Sequence, residues 1–358
     1  MVWLSRFAPV VALVVITQGH QPAYAVATST TSVTCSSLKK LQARIDAVPP
    51  GTHGTINVTG TCSENIVVPA GKTIFLIGQN ANQGASVTSV SSQGFLQIRN
   101  MTVRSSTGSS TPVQATNGGT LRLVASVATT SSASRVIGAF NNATVEVVNS
   151  RVTNTATAGN QDTSIFVDLN SSLNIEGNGS LPAGPDGTKT LVSGAKDAVF
   201  CGGNSSAIVI AQNGGSVFVQ DSNRGFNLNA CSLNINNRTG AQNVQIRNNT
   251  KAGILSYNSD VIVMQATIAG NGTGIYNMLT RAVILGAHFG GVAPNATDIR
   301  SDTNSTVDID DFGGQTSFLN LSESSFYCRN GGEIYYYQPF VVETLASYEG
   351  TCLKAASY

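Results

Sequence analysis

The segment Ala115-Thr116-Asn117-Gly118-Gly119-Thr120-Leu121-Arg122-Leu123 joins a short apolar strand to an Asn-centred turn and a second strand reading apolar–x–apolar. The same phrase returns as Ala139-Phe140-Asn141-Asn142-Ala143-Thr144-Val145-Glu146-Val147, as Asp168-Leu169-Asn170-Ser171-Ser172-Leu173-Asn174-Ile175 and as Ala211-Gln212-Asn213-Gly214-Gly215-Ser216-Val217-Phe218-Val219. Further copies run through 229–235, 258–263, 277–285 and 304–309. A unit this short cannot bury its apolar side alone, so copies at irregular intervals imply stacked turns of a solenoid with loops of varying length.

Period-two alternation turns one apolar pair of each second strand inward: Leu121/Leu123, Val145/Val147, Leu173/Ile175, Val217/Val219, Leu233/Ile235, Val261/Val263, Val283/Leu285 and Val307/Ile309. Strands stacked about 4.8 Å apart make these pairs continuous aliphatic ladders. The turn Asn tolerates a left-handed backbone, and its amide can bond to the turn above or below. The residue between each pair points outward, which gives the row Arg122, Glu146, Asn174, Phe218, Asn234, Ile262, Ile284 and Asp308. Arg122 and Glu146 are expected to pair across neighbouring turns. Phe218, Ile262, Ile284 and, two residues along, Met264 form a candidate interface, because apolar residues on an outer face need a cover.

Residues 1–25 read as a secretory signal. Arg6 supplies the positive start, 7–16 a short apolar core, and Ala23-Tyr24-Ala25 a small-x-small cleavage site. No later run is apolar for long enough to span a membrane. Residues 26–54 are expected to hold an N-terminal capping helix, with Ser36-Ser37 as its N-cap and Leu38, Leu41 and Ile45 on one face, ending before Pro49-Pro50-Gly51. The solenoid is expected over 55–312, about ten turns. A first turn has strands near 55–58, 66–68 and 73–77, and Phe95 to Arg104 forms two strands about Asn100. Residues 313–358 leave the repeat and are read as an irregular cap or tail, whose Ile334-Tyr335-Tyr336-Tyr337 and Phe340-Val341-Val342 can pack over the outer apolar residues.

Charged residues make up only 11% of the chain, well under the usual quarter. Of 20 Lys and Arg, Arg6 lies in the leader, so 19 cations face 19 carboxylates. A neutral chain without a basic stripe does not fit nucleic-acid binding. Six cysteines in an exported chain imply disulfides, and pairing of sequence neighbours gives Cys35–Cys62, Cys201–Cys231 and Cys328–Cys352. No Cys-x-x-Cys exists and only His53 and His288 follow the leader, so a metal site of cysteine and histidine is not expected. The chain is expected to be secreted or periplasmic.

Leu38 to Gly78, with IDAVPPG, TINVTGTCSENIVV and KTIFLIG, resembles the opening of right-handed parallel β-helix proteins of the pectate-lyase-like group, and the repeats from 117 to 309 continue the resemblance. It implies an all-β, single-stranded right-handed parallel β-helix. This scaffold carries lyases, hydrolases, esterases, epimerases, phage tailspikes and non-catalytic surface proteins, so the resemblance implies a fold and not an activity; the leading expectation is a β-helix that interacts with polysaccharide or a cell surface. Pectin methylesterases of the fold carry Gln-Asp-Thr and a later Asp motif. Here Gln161-Asp162-Thr163 and Asp197-Ala198-Val199-Phe200 stand too far apart, and the Arg-Pro-Trp that should follow is missing. Of the polygalacturonase motifs, only Asp310-Asp311 has an echo.

Charge groups in one region, where Lys196, Asp197, Asp221, Arg224, Arg247 and Lys251 stand near turns of neighbouring coils. A polysaccharide lyase needs a cation to neutralise a uronate carboxylate and a base for the adjacent proton, and Lys or Arg serves both. In that scheme Lys251 or Arg224 acts as base or carboxylate clamp. Asp197 and Asp221 are carboxylates able to bind Ca²⁺, and Lys196 and Arg247 hold ligand. Tyr257 and Tyr276, one turn apart on first strands, make a stacking platform for sugars if both face outward. The competing expectation is a non-catalytic structural or adhesive solenoid that uses its apolar outer row. Asn-x-Ser/Thr sequons such as those at Asn57, Asn142 and Asn295 are accounted for by the turn role of Asn.

Overall fold

The computed structural model describes residues 27–35, 40–79, 85–105, 111–132, 134–156, 163–194, 196–237, 243–290, 293–310, 325–336, 347–349 and 353–355. The chain forms the expected parallel β-solenoid, with about 11 turns. Strands pair in parallel with their counterparts one turn away, and three sheets result. The first sheet runs from the C-terminal halves of Thr61–Val68 and Ser86–Ser92 through Val113–Thr116, Arg135–Phe140, Thr163–Val167, Ala252–Tyr257, Thr273–Met278 and Thr297–Asp302 to Ser325–Arg329 and Ser347–Glu349. The second contains Thr120–Val124, Thr144–Val148, Ser172–Asn178, Asp260–Met264, Arg281–Leu285 and Thr306–Asp310. The third holds Thr102–Ser105, Val127–Thr130, Arg151–Asn154, Lys189–Ser193, Ser216–Gln220, Val244–Arg247, Ala266–Ala269 and His288–Phe289. Two long strands, Asp197–Gln212 and Arg224–Asn237, pass through a corner and serve the first and second sheets in turn.

The interior is aliphatic. Leu121, Leu123, Val145, Val147, Ile175, Val209, Ile235, Val263 and Ile309 are fully buried and belong to one continuous cluster. The expected salt bridge joins Arg122 Nε to Glu146 Oε2 at 3.0 Å, a contact without the alignment of a hydrogen bond. Each corner carries its own polar ladder. Backbone N–H groups of Ala143 and Ser171 donate to the hydroxyls of Ser171 and Ser205, and those of Cys231, Ser259 and Thr280 to Ser259, Thr280 and Ser305. The second corner repeats this with Ser126, Ser150 and Thr190. The third uses buried amides: Asn249 N–H donates to Asn271 Oδ1 at 3.0 Å, and Asn271 N–H to Asn295 Oδ1 at 2.9 Å. Buried backbone donors at the bends are thereby satisfied, as a dry interior requires.

Several expectations are corrected. The helix is Leu41–Asp46, preceded by a strand, Thr28–Thr34, that already pairs with His53–Thr59, so the second sheet begins before the helix. Its N-terminal N–H groups are capped by Glu64, while Ser36 and Ser37 lie outside the described residues. Left-handed turn residues include Asn117, Asn141, Asn170, Asn258 and Asn304 as expected, but Ala230 and Leu279 take that role where Asn229 and Asn277 were expected. Asn213 is also left-handed, yet it sits at the corner between the second and third sheets. The copy belonging to the first corner there is Asn204, with Ile208 outward.

Phe218 therefore lies on the third sheet, and Ile208 takes its place between Asn174 and Asn234. In Arg281–Leu285 the inward pair is Ala282 and Ile284. Ile284 is fully buried and leaves the outer row, where Val283 stands beside Ile262. The run Ala-Val-Ile-Leu offers both registers to a pattern reader, and the small Ala282 conceals the true one. Past Phe312, strands continue: Ser325–Arg329 and Glu333–Tyr336 extend the first and second sheets, so Ile334 and Tyr335 are part of a turn and not a cover. Cys35–Cys62 and Cys201–Cys231 are bridged. Cys328 is disulfide-bonded as well, and Cys352 lies outside the described residues. The leader, Gln161-Asp162, Asp311 and Phe340-Val341-Val342 also lie outside them. No helix among the described residues is long and apolar enough to cross a membrane.

Candidate functional site

The charged residues singled out in the sequence divide between two faces and the corner joining them. Asp197, Arg224, Tyr257 and Tyr276 stand on the first sheet, Arg247 on the third, and Lys196, Asp221 and Lys251 at the bend between the third and the first. Asp197 and Arg224 are register partners one turn apart. Arg224 donates Nε to Asp197 Oδ1 at 2.5 Å and an amino group to Oδ2 at 3.2 Å, and Asn227 donates to the same Oδ2 at 3.1 Å. Asp197 is buried. A carboxylate so enclosed is a tie between turns; both oxygens are engaged. Asp221 accepts from Gln220 Nε2 at 2.5 Å and from Asn248 at 3.5 Å. Among the described residues no group of three or more His, Cys, Asp and Glu comes together as metal ligands. Lys251 is exposed, one residue before the register partner of Arg224.

Tyr257 and Tyr276 both point outward but do not stack. Tyr257 is 45% exposed and pairs in register with Met278, whereas Tyr276 pairs with Leu255. Tyr276 belongs to a different row, the longest continuous feature of this face. In register, turn after turn, stand Gly138, Phe166, Phe200, Asn227, Leu255, Tyr276, Arg300 and Tyr327. Phe140 folds back over Gly138, where a Cβ would lie 2.5 Å from its ring. Phe140 and Phe166 have centroids 5.6 Å apart, and Phe166 and Phe200 stack at 4.7 Å with planes 12° apart. The Arg135 guanidinium lies 3.6 Å from the Phe166 centroid. Its pKa is lowered by burial, against the attraction of Asp168. At the far end Arg300 sits 4.3 Å from the Tyr276 ring and 5.0 Å from that of Tyr327, and bonds Asp302 at 3.1 Å. Burial raises the Tyr276 hydroxyl pKa, so the phenol stays a neutral donor, 3.4 Å from Asp302.

Sequence reasoning placed Tyr276 on a first strand but missed the rest of this row, because its ladders followed second strands. The available signal was an aromatic at or just before the end of successive first strands, in Ala139-Phe140, Phe166-Val167 and Phe200-Cys201. It also missed Lys189, whose ammonium lies 4.5 Å from the Phe218 centroid on the third sheet, where Arg247 approaches to 4.7 Å. Two clefts occur elsewhere, one of about 540 Å³ beside Ser32, Lys40 and Arg44 and one of about 250 Å³ beside Asn204, Ser232 and Asp260. Neither contains a residue of these rows, which are open faces.

No protein-family model matches the sequence, and no curated protein matches it. Among solved structures the chain is similar to the A-module of the mannuronan C-5 epimerase AlgE6 of Azotobacter vinelandii, at 13% identity over 89% of this chain and 94% of that one, with a TM-score of 0.28. A superposition that loose carries no site from one chain to the other.

Proposed function

We propose that this chain is an exported, non-catalytic polysaccharide-binding β-helix that holds an extended glycan along the outer face of its first sheet. The observation that carries this is the in-register row Phe166, Phe200, Tyr276, Arg300 and Tyr327, with Phe140 folded against Phe166 and Arg135 laid on Phe166. Sugars present apolar C–H faces and a rim of hydroxyls. A surface offering ring edges, guanidinium groups and amides answers both. One position per turn, about 4.8 Å apart, suits a linear polymer laid along the axis. Binding is tested by affinity electrophoresis in gels cast with single polysaccharides. The expected result is retardation by at least one neutral glycan and a loss of about tenfold, about 1.4 kcal/mol, in Phe166→Ala/Phe200→Ala. A folded double variant retarded like the wild type would sink the proposal.

A second reading, a lyase acting on acidic polysaccharide at the bend, is favoured by one observation: Lys251 is exposed beside the turn that holds Arg224. It requires ultraviolet-absorbing unsaturated products from uronic-acid polymers, with or without Ca²⁺, and their disappearance in Lys251→Ala. Absence of product from every polymer removes it.

A further inference from the structure

We propose that the third sheet is a separate binding face for an acidic polysaccharide, centred on Phe218 between Lys189 and Arg247. The inference goes beyond the first-sheet reading and rests on different residues. Charge is segregated in this molecule. The strands of the third sheet from Thr102–Ser105 to His288–Phe289 carry Arg104, Arg151, Lys189 and Arg247, and not one Asp or Glu. The first sheet mixes its arginines with Asp197, Asp298 and Asp302, and the second with Glu146, Asp260 and Asp308. In a chain whose cations and carboxylates nearly balance, a run of strands whose only charges are cationic is a specific arrangement.

Register supplies the geometry. Lys189 comes from the turn before Phe218 and Arg247 from the turn after it, since Lys189 pairs with Ser216 and Gln220 with Arg247. Their charges lie 4.5 Å and 4.7 Å from the ring centroid, so they flank one aromatic surface. Arg247 spends its Nε on Gln220 Oε1 at 2.9 Å. That bond fixes the guanidinium and leaves its terminal nitrogens to meet a carboxylate or sulfate in a two-pronged contact. Arg151 is excluded from this set, because Asp186, in the loop leading into Lys189–Ser193, binds it through both oxygens. At the following bend Asp221 is engaged by Gln220 and Asn248, and Lys251 is exposed. Two cations bracketing a ring, one turn to each side, match anionic groups carried on a linear chain of sugar rings.

The test compares immobilised polygalacturonate with neutral dextran in interferometry, at about 0.02 and 0.3 M salt. The wild type should bind polygalacturonate and lose most of that binding at the higher salt, while any binding of dextran should be the same in Lys189→Gln/Arg247→Gln as in the wild type. Lys189→Gln/Arg247→Gln should weaken polygalacturonate binding at least tenfold, and Lys189→Arg should retain it. Phe166→Ala/Phe200→Ala should leave it unchanged, so failure of the first-sheet proposal would not be mistaken for failure of this one. Wild-type affinity indifferent to salt overturns the proposal, as does a double variant that binds like the wild type. Equal binding of single-stranded DNA at matched charge overturns it too, since the face would then be a general polyanion surface.

Discussion

Asn271 shows how much a single corner residue carries. Its Nδ2 donates to the Ile246 carbonyl and to Asn295 Oδ1, both at 3.0 Å, and its Oδ1 accepts from the backbone and side chain of Asn249. Asn271→Leu keeps the branching of the side chain and strands a buried N–H and a buried C=O, each worth about 1–3 kcal/mol. We expect a fall in thermal midpoint with the fold retained, measured by circular dichroism. Two residues with pKa values shifted by their surroundings contribute to acid behaviour. Burial lowers the pKa of His288, so the folded chain keeps a neutral ring while the unfolded chain takes up a proton below about pH 6.5. Its stabilising contribution is present above that pH and is lost as pH falls through the lowered value. For Asp302, burial pushes the pKa up, but hydrogen bonds from Arg300, Thr303 and Asn330 outweigh it and hold the carboxyl below its ordinary value of 3.8. That contribution persists to lower pH and disappears as pH falls from the ordinary value through the lowered one. Melting curves taken down the pH scale should show two successive losses, and His288→Gln should abolish only the first.

At the scale of elements, the helix Leu41–Asp46 depends on the solenoid at both ends. Six residues are too few to be helical alone. Glu64 accepts the N–H groups of Lys40, Leu41 and Gln42 at 2.9–3.1 Å, and Lys72 Nζ donates to the carbonyls of Ile45 and Asp46 at 2.8 and 2.7 Å. Carboxylate at the N-terminus and ammonium at the C-terminus both oppose the helix dipole favourably. Glu64→Ala is expected to cost about 2 kcal/mol and to raise amide exchange across Leu41–Asp46 while the strands of the third sheet stay protected. Unchanged exchange there would show that burial of Leu41 and Ile45 suffices. The helix was legible from the spacing of Leu41 and Ile45, whereas its cap was not, because Glu64 is distant in sequence and adjacent only after a turn has closed.

The molecule as a whole was legible where each turn repeats its local pattern, and obscure where position depends on counting turns. Alternation in Thr120–Val124 and Thr144–Val148 gives strand, face and neighbour at once, so the Arg122–Glu146 pair follows directly. Asn213-Gly214-Gly215 has the same local sequence as Asn117-Gly118-Gly119 but bends a different corner. That single slip moved Phe218 to the wrong face and hid the company it keeps. The candidate rows were hidden for a related reason: Phe166 and Phe200, or Lys189 and Arg247, are far apart in sequence and meet only when loops of unequal length cancel. Those corner ladders of hydroxyls and amides also make each turn an interchangeable segment. Thr144 occupies, one level on, the place of Thr120, with its N–H bonded to Gly119 as that of Thr120 is to Gly94. Genetic loss or duplication of one such segment can rejoin in phase and change the reach of the outer faces in fixed increments, so a lineage built on this chain can lengthen or shorten its grip without redesigning it.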